Sequence, residues 1–129
     1  MSRLRRAAFA ASVGLLLACS GTEPVAGTLK VNLADPNNGQ DGAVMLVLLF
    51  PTPPVSVSVS PGLTLWGGPV TTSPARLVVT GTVTSGTILT LQVDDINKVG
   101  QYKVTLLAVA NATTYQPQPL SSYSATVTK

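Results

Sequence analysis

Histidine is absent from the 129-residue chain, and cysteine occurs once, at Cys19. The first absence removes the commonest general base and the commonest metal ligand together. The second leaves no disulfide and no paired thiolate for a zinc site. No serine sits in a G-x-S-x-G elbow, and S-x-x-K does not occur, so the usual nucleophilic-serine patterns are missing. Gly67-Gly68 runs into Pro69, which has no amide proton to offer a phosphate. These gaps exclude an enzyme of the common kinds and any cofactor the sequence would reveal.

Charge is scarce as well. Charged residues make up 10% of the chain and aromatics 5%. The formal charge of +3 owes itself to Arg3, Arg5 and Arg6. From residue 19 onward, Lys30, Arg76, Lys98, Lys103 and Lys129 are balanced by Glu23, Asp35, Asp41, Asp94 and Asp95. A chain with no net charge and no basic cluster has nothing to steer a polyanion, so nucleic acid is excluded as a partner.

What is present begins with the leader. Arg3, Arg5 and Arg6 precede an apolar run from Ala7 to Ala18, which Leu16, Leu17, Ala18 and Cys19 close. Such a run rises about 18 Å as a helix, short of a hydrocarbon core of roughly 30 Å. Basic start, short apolar stretch and small-residue end form an export signal. Its last four residues resemble the lipobox of bacterial lipoprotein precursors. That resemblance implies cleavage by lipoprotein signal peptidase, with Leu16, Leu17 and Ala18 read by the enzyme, and lipidation of Cys19. It implies a signal peptide over 1–18, a lipidated cysteine and tether over 19–27, and a domain over 28–129. Ser20, where Asp would retain the protein inside, implies the outer membrane, on its periplasmic or surface side.

Beyond the tether the sequence alternates. Leu29, Val31 and Leu33 are interleaved with Lys30 and Asn32, and Val55, Val57 and Val59 with Ser56, Ser58 and Ser60. Period two marks half-buried strands. Ala43 to Phe50 is apolar throughout, as in a central strand covered on both sides. Leu63 to Trp66, Arg76 to Val83, Thr87 to Val93, Gln101 to Ala110 and Leu120 to Thr128 complete the series. Thr84-Ser85-Gly86 predicts a hairpin between two of them. No stretch carries a helical period, so the fold class is all-β: a two-layer sandwich of about eight strands.

Arg76 to Val93, RLVVTGTVTSGTILTLQV, resembles the cohesin type of β-sandwich. There a strand ends near a glycine, and a Gly-Thr segment followed by two apolar residues opens the next strand. Gly86-Thr87-Ile88-Leu89 takes that place here. The resemblance implies an Ig-like or cohesin-like sandwich of non-catalytic, binding character. It does not bring a scaffolding role, because no second copy and no long linker accompany it.

Three places are candidate sites. Asp35, Asn37, Asn38 and Asp41 offer the oxygens that calcium takes, which would make the domain a calcium-steadied adhesion module. The spacing fails the D-x-[DN]-x-[DN]-G pattern at Gly39, and the same residues are ordinary turn formers. Trp66, beside Gly67-Gly68 at the start of a loop, is the candidate platform for a glycan ring, against a packing role. Tyr102 and Tyr123 are expected in the core or at its rim. Finally, the strand from Ala43 to Phe50 is apolar on both faces, and Leu106 to Ala110 repeats the feature. Either cover from loops such as Gly67 to Pro74 hides the second face, or it is an exposed patch for a partner such as an envelope protein, a second copy or the lipid surface.

Overall fold

The computed structural model describes residues 23–129; the leader and Cys19 lie outside them. The described residues form eight strands in two antiparallel four-stranded sheets, a β-sandwich as the alternation requires. They are β1 (Gly27–Ala34), β2 (Asp41–Leu49), β3 (Ser56–Val59), β4 (Leu63–Trp66), β5 (Ala75–Val83), β6 (Gly86–Val93), β7 (Lys103–Asn111) and β8 (Ser124–Thr128). The first sheet has the order β3-β6-β1-β8 and the second β4-β5-β2-β7.

Alternation decides which side chains meet between the sheets. Leu29, Val31 and Leu33 of β1 face Val44, Leu46 and Leu48 of β2, with Leu77 and Val79 of β5 and Leu89 and Leu91 of β6 beside them. All of these are essentially inaccessible to water. Each fully buried aliphatic side chain contributes about 1.5–3 kcal/mol, so this layer dominates the stability.

The chain changes sheets at almost every turn, and the connections alternate between two ends of the sandwich. At one end lie the incoming segment Glu23–Ala26 and the loops 50–55, 67–74 and 94–102; we call it the tether end. The opposite end carries the loops 35–40, 60–62, 84–85 and 112–123.

The connection through Thr84 and Ser85 is not the hairpin the sequence predicts. β5 lies in the second sheet and β6 in the first, so the chain arches across the core. Both arrangements bury the same apolar faces, and local sequence does not separate them. The arch is pinned from afar: the Ser85 amide donates to Asn38 Oδ1 (2.6 Å) and its hydroxyl donates to the Asp35 carbonyl (3.1 Å). Two other expected strands shorten. A 3-10 helix occupies Ile96–Gln101, capped by Asp95, whose side chain accepts from the Asn97 amide. A second, Leu120–Ser122, delays the last strand to Ser124.

Candidate binding face

The two sheets differ on their outward surfaces. On the first, Thr28, Lys30 and Asn32 of β1 lie beside Thr90 and Gln92 of β6 and Thr126 and Thr128 of β8, with Ser56 and Ser58 of β3 at the edge. These side chains bond across the strands. Asn32 Nδ2 donates to Thr128 Oγ1, Thr87 Oγ1 to Asn32 Oδ1, and Gln92 Nε2 to Thr28 Oγ1, each at 2.9 Å. The surface is polar, and these three pairs tie its strands together.

The second sheet turns apolar groups outward. Register places Trp66, Val78, Met45 and Ala108 in one row across all four strands. A register shift between Met45 and Leu46 sets the extra residue Leu107 beside Ala108, and both are exposed. Towards the tether end the next rows hold Arg76, Val47 and Thr105, then Leu49 opposite Lys103. Towards the other end come Thr64, Thr80, Ala43 and Ala110. Two cations and no acid stand on this face among the described residues.

Parity is thereby settled. Val44, Leu46, Leu48 and Phe50 point into the core, and Ala43, Met45, Val47 and Leu49 point away from it. Met45 and Val47 are half-buried among their cross-strand neighbours, while Leu49 is 40% exposed.

Trp66 is the last residue of β4, immediately before the loop, and 58% of it is exposed. Its Nε1–H donates to Thr80 Oγ1 on the neighbouring strand (2.8 Å). The indole therefore leans across β5, its one polar group satisfied, and its ring is free to meet an apolar partner. The chain must leave the face directly after it. Gly67 has φ +136°, and a Cβ there would stand 2.8 Å from the Arg76 carbonyl oxygen; only glycine permits that approach. Sequence reading named the tryptophan and the doubly apolar strand separately. The sheet makes them one surface, which only strand register reveals.

At the end opposite the tether, a hollow of about 500 Å³ continues this face, floored by Gly42, Ala43, Gly81 and Ala110 and bordered by Tyr115. Tyr115 is 81% exposed and has φ +57°. A smaller hollow of about 240 Å³ between Pro54–Val57 and Gly68–Thr71 carries no charged group.

Asp35, Asn37 and Asp41 are brought together, but inside. Asp41 is the first residue of β2 and is fully buried; Asp35 is nearly so. Tyr123 Oη donates to Asp41 Oδ2 (2.6 Å), Asn37 Nδ2 donates to Tyr123 Oη (2.9 Å), and Gln118 Nε2 approaches Asp41 Oδ1 (3.4 Å). The Asn37 amide donates to Asp35 Oδ1 (2.7 Å), while Asp35 Oδ2 is buried without a partner among the described residues. Burial first, then the adjoining Asp41 carboxyl, pushes Asp35 up to about 6. Both Asp41 oxygens already face donors, from Tyr123 and Gln118. No group of three or more acidic, histidine or cysteine side chains is placed for a metal among the described residues. Asn38 is used elsewhere, accepting from Ser85.

No family model, curated protein or solved structure matches the chain.

Proposed function

We propose that this chain is a lipid-anchored lipoprotein of the bacterial cell envelope, held at Cys19, whose sandwich has a non-catalytic binding role. The outer face of the second sheet is the binding surface. The observation that carries this is the contrast between the two outward surfaces of one fold. The first sheet meets water with hydroxyls, amides and Lys30; the second presents Trp66, Val78, Met45, Leu107 and Leu49. A sandwich needs only one apolar side per sheet, and a second one marks a contact. The cohesin-type likeness belongs to the same proposal: Arg76–Val93 supplies β5 and β6, one strand to each sheet.

The anchor is tested by growing cells with labelled fatty acid. Wild type should take up label and run at the mature size, whereas Cys19→Ser should remain unprocessed and unlabelled. Label in the Cys19→Ser protein would remove the anchor.

A second reading, a carbohydrate-binding module, is favoured by the hollow beside Tyr115 and the exposed ring of Trp66. Titrating Trp66 emission with oligomers of N-acetylglucosamine tests it; a saturable change would support this reading over the first.

A further inference from the structure

We propose that the partner of the second sheet's outer face is the anionic lipid surface to which the chain is tethered. The inference rests on the lipid anchor at Cys19. Four peptide links separate Cys19 from Glu23, a span of at most about 14 Å. Stacked sheets lie about 10 Å apart, so an anchor this short brings either face within reach of the membrane and takes neither far from it.

Charge decides which face turns down. The buried pair Asp35 and Asp41 plays no part at the surface. Among the described residues, the first sheet's outer face carries Lys30 alone, and the tether end carries Glu23, Asp94 and Asp95 against Lys98 and Lys129. Arg76 and Lys103 remain, both exposed, both in the tether-end rows of the second sheet. An anionic leaflet is repelled by the one acid in excess at the tip and attracted by these two cations. Rocking the sandwich onto the second sheet satisfies both. Leu49 and Trp66 then reach the headgroup boundary, where indoles are favoured and where the Thr80 bond has already satisfied the Nε1–H.

Trp66 is the only tryptophan in the chain, so its emission reports this contact alone. The lipidated protein is reconstituted into vesicles of phosphatidylglycerol and phosphatidylcholine, with and without bromine on the upper acyl carbons. Brominated lipid should quench Trp66 and the remaining emission should shift to the blue. Arg76→Gln combined with Lys103→Gln, both at exposed positions, should restore emission, since each cation lost lowers the docked population about fivefold. Circular dichroism confirms that the double variant is folded. Unquenched emission from protein that carries its lipid overturns the docking and leaves the anchor standing. Absence of lipid on Cys19 overturns the anchor and the docking with it. Quenching that is equal in pure phosphatidylcholine and indifferent to both substitutions overturns the anionic partner. Unquenched emission that responds to N-acetylglucosamine oligomers overturns the lipid in favour of a glycan.

Discussion

The phenolic hydroxyl of Tyr123 donates a 2.6 Å hydrogen bond to Oδ2 of Asp41, a carboxylate with no exposed surface. The two residues are far apart in the chain, and their bond ties the start of β2 to the approach to β8. Burial, and then the hydrogen bond to Asp41, push the Tyr123 hydroxyl up to about 12. It therefore stays protonated as a donor at any ordinary pH. Tyr123→Phe would remove that donor and leave Asn37 Nδ2 without its acceptor. The expected loss is about 1–3 kcal/mol in urea unfolding. A variant as stable as wild type would mean that water replaces the hydroxyl and that the bond is not structural.

Asp35 makes stability depend on pH in a particular direction. Its carboxyl sits at about 6 in the folded chain against an ordinary 3.8, so the folded state binds the proton more tightly than the unfolded one. This contribution is fully present below pH 3.8 and is lost as pH rises through about 6. Its size is on the order of 3 kcal/mol. Asp35→Asn should flatten the stability profile across that window and be at least as stable as wild type near neutrality. Melting temperatures measured from pH 4 to 8 decide the matter; a wild-type profile that rises over this range would show that the pair is not strained.

Leu46 and Leu49 test the parity of β2. Leu46 is fully buried and Leu49 is 40% exposed on the other face. Leu46→Asp places an unpaired charge in the core and should cost more than about 4 kcal/mol, enough to unfold a small domain. Leu49→Asp should stay within about 0.5 kcal/mol of wild type, as surface changes do. Equal losses for both would mean that the outer face is covered.

Gly67 holds Trp66 in place. Its φ is +136°, and an added Cβ would stand 2.8 Å from the Arg76 carbonyl oxygen, so Gly67→Ala should lose about 1–3 kcal/mol. The shift should also break the indole bond to Thr80, giving a red-shifted emission from Trp66. Gly68→Ala serves as the control. It has φ +72° but nothing within 4 Å, so it should cost about 1–2 kcal/mol and leave the emission maximum unchanged. An unshifted maximum in Gly67→Ala would mean that the turn does not position the ring.

Much of the fold was legible in order. Period-two alternation identifies β1 and β3 because a half-buried strand must place every second side chain in the core. The continuous apolar run of β2 marks an interior strand, and Pro51, Pro53 and Pro54 end it where a ladder would need amide donors. Alternation is a local property, and local chemistry writes it. What the pattern omits is pairing. The same apolar faces are buried whether β5 and β6 form a hairpin or arch across the core, and hydrogen bonds from Ser85 to the distant Asp35–Asn38 loop select the arch.

The candidate sites divide along the same line. Residue types alone singled out Trp66, the doubly apolar strand and the Asp35–Asp41 stretch, because each is unusual in a chain so poor in aromatics and charge. Only tertiary structure decided what they are. Register across β4, β5, β2 and β7 joins the tryptophan to Val78, Met45 and Ala108 in one outward-facing row. Closure of the sandwich takes Asp41 out of a loop and buries it under Tyr123. A sequence records which side a residue of a strand will turn, but its neighbours on that side belong to other strands, brought there by packing.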